Sequence, residues 1–244
     1  MSGGDKVAKE KFRTTVFFLF CFLILLWFFF WSTPSAAHEV SSADIEALRG
    51  LNGIQLTHYV WLGCKHMLTG YDHLLFLLGV IFYIRHLRDV VVLVSLFALG
   101  HSLTLILGVV FSLGINPFLV DAIIGLSVVY KGFDNLGGFR MLFSERPNEK
   151  LVVLVFGLFH GLGLATKLEA VAVRDDGLVA NLLAFNVGVE LGQLAALVVA
   201  LGLLRLVPVL RDNVFIGHAV NVCILTAGFA FMTYQIQQYL ALSG

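Results

Sequence analysis

Six long apolar stretches constrain the fold of this chain more than any other feature. They cover residues 57–84, 89–112, 117–135, 150–170, 178–205 and 214–240. Each is long enough to cross the roughly 30 Å hydrocarbon core of a bilayer as a helix. None alternates like a membrane β-strand, and a helix satisfies its own backbone hydrogen bonds in lipid. The sequence therefore predicts an all-α, polytopic membrane bundle of six transmembrane helices, formed by residues 57–244.

Composition supports this fold class and excludes several functions. Hydrophobic residues make up 59% of the 244 residues, and charged residues make up 13%. Sixteen basic residues balance sixteen acidic ones, so no basic excess is present to bind nucleic acid. The three cysteines, Cys21, Cys64 and Cys223, are isolated, which argues against a disulfide framework or a cysteine zinc site.

The N-terminal 37 residues have the organisation of an export signal. Basic residues precede an apolar run from Thr14 to Trp31, and small residues at Ser35 and Ala37 suit a signal peptidase. We expect cleavage after Ala37, although the run is long enough to serve as an anchor if it is retained. Residues 38–56 would then form a short extracytoplasmic segment. Cleavage would make His38 the N-terminus, and whether it binds a metal there is left open.

Basic residues are concentrated in alternate connections, which predicts the orientation. These residues are Arg85, Arg88, Arg140, Arg146, Lys150, Arg205 and Arg211. The intervening connections are nearly uncharged or acidic. We therefore expect a multi-pass protein of a bacterial inner membrane, with both mature termini on the outer, periplasmic side.

Ionisable residues within the apolar stretches identify the candidate site. Each costs roughly 2.5–3.5 kcal/mol on insertion scales, so a group of them indicates a functional role. At about 1.5 Å per residue, five helices place an acid or an imidazole roughly 15–22 Å from the cytoplasmic end. The residues at this depth are Asp72, His73, His101, Asp121, His160 and Glu190. The sequence thus predicts one polar layer near the membrane midplane.

Imidazole and carboxylate ligands suit a divalent cation such as Ni²⁺, Co²⁺ or Zn²⁺, and the lack of a thiolate cluster argues against Cu⁺. His66 lies on the same predicted helix face as His73, closer to the outside, where it could pass an ion inward. Asn186, Glu190 and Gln193 form one stripe, which we expect to face the interior as a permeation pathway. A proton relay through the same residues is the main alternative.

Several segments resemble a known family. Residues 66–73 have the pattern H-x5-D-H, which is similar to that of the HupE/UreJ proteins, hydrogenase and urease accessory membrane proteins. The resemblance extends through Gly-His-Ser-Leu-Thr at 100–104, Phe-His-Gly-Leu-Gly at 159–163 and Phe-Asn-Val-Gly-Val-Glu-Leu-Gly-Gln at 185–193. It covers nearly the whole chain after the signal segment.

The resemblance implies a six-helix permease for Ni²⁺ or Co²⁺, in which His66, Asp72, His73 and His160 handle the metal. Some nickel-linked members have a glutamate soon after F-H-G, whereas the nearest acid here is Glu169. The resemblance therefore does not distinguish nickel from cobalt.

We expect a permease that receives a cation at His66, holds it near Asp72, His73, His101, His160 and Glu190, and releases it inward, with Asp121 as a further ligand or counter-charge. A zinc-dependent intramembrane hydrolase is the rival from another class, because three histidines, an aspartate and Ser102 could hold a catalytic zinc. A small accessory subunit of a membrane complex is a third reading. The lipid bilayer and the metal ion are the expected partners, and the oligomeric state is left open.

Overall fold

A computed structural model describes residues 53–84, 86–143, 145–169 and 177–243. The predicted signal segment, its cleavage site, His38 and the greater part of the 38–56 segment lie outside these residues. All regular structure in the described ranges is helical. The helices are α1 (Leu56–Thr69), α2 (Tyr71–Ile81), α3 (Leu87–Phe111), α4 (Pro117–Asn135), α5 (Gly138–Phe143), α6 (Glu149–Glu169), α7 (Leu178–Leu206), α8 (Val209–Asp212) and α9 (Val214–Ser243).

Four of these helices are long and apolar enough to cross a membrane, namely α3, α6, α7 and α9. Helix α4 has 19 residues, but its three ionisable groups, Asp121, Lys131 and Asp134, make it more polar than these four. Helices α1 and α2, with 14 and 11 residues, are separately too short. The predicted all-α membrane fold is confirmed, and the count of six crossings stays a prediction.

Asparagine side chains cap the N-termini of three of the long helices. The Oδ1 of Asn116 accepts a hydrogen bond from the backbone N–H of Phe118 at 2.9 Å, and Pro117 occupies the first position of α4. Asn148 and Asn213 accept equivalent bonds at the starts of α6 and α9. These caps satisfy backbone donors that have no partner within the helix, so local sequence sets where each helix begins.

Glycines bring the long helices together in three closely packed pairs, α3 with α6, α4 with α9 and α1 with α7. A Cβ on Gly161 would collide with the backbone carbonyl oxygen of His101, and one on Gly188 would collide with that of Val60. Between α4 and α9, a Cβ on Gly125 would lie 2.8 Å from the backbone nitrogen of Met232. Gly157 and Gly192 also lie close to the backbones of Phe97 and Cys64, so the G-x-x-x-G pairs 157/161 and 188/192 allow these helices to approach closely.

Candidate metal site

A break in the first apolar stretch shapes the site. The sequence predicted one continuous helix there, but α1 ends and α2 begins on either side of Gly70, whose backbone is extended (φ −72°, ψ 98°). A Cβ at this position would lie 2.9 Å from Nδ1 of His73 and 3.2 Å from Oδ1 of Asp72. Glycine therefore leaves room for these two side chains to lie over the break.

Four histidines from four helices meet beside this break. The ring centroid of His73 lies 5.2 Å from that of His66, 5.8 Å from that of His101 and 4.9 Å from that of His160. All four are buried, with 0% of His101 and His160 exposed. One nitrogen each of His66, His73 and His101 can be chosen so that the three atoms lie within 4.8 Å of one another. Three imidazoles at this spacing could hold a single metal ion.

Hydrogen bonds orient two of the rings. Nδ1 of His160 lies 2.8 Å from the backbone carbonyl oxygen of Phe156. Because a carbonyl only accepts, this nitrogen carries the proton and Nε2 keeps the lone pair that a metal ligand needs. Nδ1 of His73 lies 3.2 Å from Oδ1 of Asp72, a carboxylate–histidine contact of the kind that orients metal ligands. Asp72 is thus placed to orient His73.

Aromatic rings surround the cluster. The ring centroid of Phe97 lies 4.9 Å from that of His160, and that of Phe185 lies 6.0 Å from that of His66. Phe76 also contacts His160, with the ring centroids 5.5 Å apart. Such an apolar shell limits water access and strengthens electrostatic interactions between a cation and its ligands.

Asp121 is not one of the three residues whose ligand atoms converge, and its role as a further ligand or counter-charge stays a prediction. Its Oδ2 forms an ion pair with Nζ of Lys167 at 2.8 Å, about two turns along α6 from His160. The carboxylate passes close to Gly163, where a Cβ would lie 3.3 Å from Oδ1. Sequence analysis missed Lys167, although a buried acid in a membrane helix calls for a cationic partner.

The predicted polar stripe on α7 is divided. Asn186 and Gln193 are buried, with 5% and 2% of their surfaces exposed. Glu190 is exposed, so the prediction that its side chain faces the interior is wrong. The side-chain O and N of Asn186 are buried with no hydrogen-bond partner among the described residues, and Gln193 lines a small cavity beside His73. Gln193 is therefore the part of the stripe that borders the site, and Asn186 is a second buried amide on the same helix.

The space beside Gly70 is too small for a larger side chain. Replacing Gly70 with alanine should lower metal affinity by about 10- to 100-fold, because the new methyl group displaces the His73 ring and its Asp72 contact. Isothermal titration with Ni²⁺ or Co²⁺ measures the change. Gly202→Ala is the matched control, since a Cβ there meets nothing within 4 Å. Equal affinities for the two variants would contradict this account of the break.

The fold and the buried histidines define a multi-pass helical membrane protein with a candidate metal site at a helix break. Comparison with protein families gives a match to the family described as HupE / UreJ protein, over residues 42–243. The chain belongs to this family, a family with a membrane metal transport or accessory role. Comparisons with curated proteins and with solved structures found no match.

Proposed function

We propose that this protein is a permease for a divalent transition-metal cation, Ni²⁺ or Co²⁺, and that the histidine cluster is its transport site. The convergence of His66, His73 and His101 is the observation that carries the proposal. Imidazole is a borderline ligand that suits Ni²⁺, Co²⁺ and Zn²⁺. A transport site must release its ion, and three imidazoles bind a cation with fewer ligands than the four of a structural metal site.

The other polar residues range from direct support of the histidine cluster to no role in binding the cation. Asp72 orients His73 and contributes negative charge, and His160 supplies a fourth imidazole at the edge of the cluster. Asn186 and Gln193 provide buried amide groups along the pathway. Asp121 acts as a counter-charge to Lys167, and Glu190 has no direct part in holding the cation.

The membrane arrangement follows from the same proposal. Helices α1 and α2 together form one crossing that is interrupted at the site, as in transporters whose binding sites lie at broken helices. With α4 they bring the number of crossings to six, and the basic connections support mature termini on the periplasmic side of a bacterial inner membrane. The membrane potential can then drive entry, at about 2.3 kcal/mol per charge per 100 mV.

Uptake into proteoliposomes tests the function directly. Vesicles that contain the purified protein and a metal-sensitive dye should accumulate Ni²⁺ or Co²⁺ when the interior is negative. His73→Ala should abolish uptake, whereas His218→Ala should not, because His218 is exposed on α9 and its Nδ1 already bonds to the carbonyl oxygen of Val214.

If the protein is instead a zinc-dependent intramembrane hydrolase, metal binding should differ, because an enzyme must retain its catalytic zinc. Stoichiometric Zn²⁺ that survives dialysis against a chelator, together with an absence of uptake, would replace the permease with the hydrolase. Wild-type protein that binds no Ni²⁺, Co²⁺ or Zn²⁺ would reject both metal functions and favour an accessory subunit.

A further inference from the structure

Helix α2 carries Asp72 and His73 and is interrupted at both ends. Its 11 residues lie between the Gly70 break and the non-helical residues 82–84. A short helix of this kind has no continuous helical connection on either side. Contacts with neighbouring helices must therefore decide where its first turn, and with it the His73 ring, is held.

The other end of α2 is bound by asparagines. Nδ2 of Asn135, the last residue of α4, donates to the carbonyl oxygen of Gly79 at 2.8 Å and to Oδ1 of Asn221 at 2.8 Å. Gly79 lies in the last turn of α2, where carbonyl groups lack partners within the helix. Asn221, on α9, is fully buried and donates in turn to the carbonyl oxygen of Gly217 at 2.8 Å. One asparagine thus ties α2 to α4 and α9.

A buried lysine holds the same residue. The side chain of Lys131 crosses Gly79, where a Cβ would lie 3.0 Å from Cγ of the lysine. Its ammonium group forms ion pairs with Asp134, at 3.0 Å, and with Glu149 at the start of α6. Lys131 is 4% exposed and Asp134 is 9% exposed, so the ion pair between them is largely shielded from water, whereas the Glu149 side chain is 44% exposed. We call Lys131, Asn135 and their contacts with Gly79 the α2 latch.

Apolar side chains fill the space between His73 and the α2 latch. A small cavity borders His73 and Gln193 and is otherwise lined by apolar residues, among them Leu77, Val80, Val94 and Val153. A dication would lose its ligands in such a space, which is strongly unfavourable. Because Leu77 and Val80 belong to α2, a displacement of α2 would widen this cavity.

We infer that Asn135 and Lys131 are positioning residues for the metal site, and that release of the α2 latch opens the route from His73 to the end of the bundle where α4 ends. The transport role of this gate rests on the proposed function. The latch contacts themselves exist without a metal, so they can be tested separately.

Thiol labelling measures the opening. A cysteine in place of Val94, in a chain whose native cysteines are replaced by serine, lines the cavity on α3. Its reaction rate with a hydrophilic maleimide in detergent micelles should rise about 5-fold in Asn135→Leu, the equivalent of losing the hydrogen bond that Asn135 makes to α2. It should rise by about 10-fold or more in Lys131→Met, which removes a buried ionic partner.

Asn116→Leu is the matched control, because Asn116 lies on an exposed surface at the opposite end of the same helix. An unchanged rate in both latch variants would overturn the inference. Equal acceleration in Asn116→Leu would also overturn it, since general loosening would then explain the effect. The difference between latch variants and control needs no metal, so it stands even if uptake fails. If Ni²⁺ slows labelling of the cysteine at position 94 in the chain without latch substitutions, metal binding is coupled to the closed state of the gate.

Discussion

Replacing His101 with alanine is expected to lower the affinity for Ni²⁺ or Co²⁺ by more than about 100-fold, because even indirect support of a metal ligand is worth 10- to 100-fold. His101 is fully buried and supplies one of three convergent nitrogens. Two of the three convergent imidazoles would remain, with His160 at the edge of the cluster, and the apolar surroundings offer little water as a substitute ligand. Equilibrium dialysis followed by elemental analysis measures the loss.

Two other histidines make this prediction specific. His160→Ala should have a smaller effect than His101→Ala, because His160 lies outside the group of three. His218→Ala should leave binding unchanged, since this histidine is exposed on α9. Metal binding that survives in His101→Ala, or that falls equally in all three variants, would show that the convergent histidines do not form the site.

Replacing Lys167 with methionine is expected to destabilise the protein by about 3–5 kcal/mol, the usual result of removing one partner from a buried ion pair. Asp121 is 3% exposed, so its carboxylate would remain buried and uncompensated. The start of α4 and the end of α6 would lose the ion pair that joins them. Denaturant unfolding in detergent micelles, followed by intrinsic fluorescence, measures the change.

The double variant Lys167→Met with Asp121→Asn tests the reason for the loss. Removing the second charge should restore a large part of the stability, because a neutral amide is less costly to bury than a carboxylate. If Asp121→Asn gives no recovery, the effect of Lys167→Met arises from lost packing. A double variant that also binds metal normally would confirm that this ion pair is separate from the histidine cluster.

Much of the helical framework could be predicted from sequence. The expected stretch at 117–135 coincides with α4, and those at 150–170 and 178–205 agree with α6 and α7 to within about a residue at each end. Periodicity and hydropathy report such segments well, because the apolar environment acts on every residue of a long helix. The G-x-x-x-G spacing of the glycines at 157 and 161 and at 188 and 192, typical of close helix packing in membranes, is also visible in the sequence.

The break at Gly70 and the direction of Glu190 could not be read in this way. Gly70 lies inside an apolar stretch, where a glycine is compatible with a continuous helix, and its neighbours in space decide the conformation. Asn186, Glu190 and Gln193 have helical spacing, but Glu190 lies at the edge of their stripe. A small rotation of α7 in its packing against α1 is enough to leave this side chain exposed.

The sequence by itself determined the class of protein, the helical segments and the residue types of the site, because these depend on local composition and on the high cost of ionisable groups in lipid. Tertiary structure alone decided which of those residues meet. It grouped His66, His73, His101 and His160 at a broken helix, paired Asp121 with Lys167, and tied α2 to α4 through Gly79. These contacts depend on close approaches between helices that are distant in sequence, and no periodic pattern along one helix specifies them.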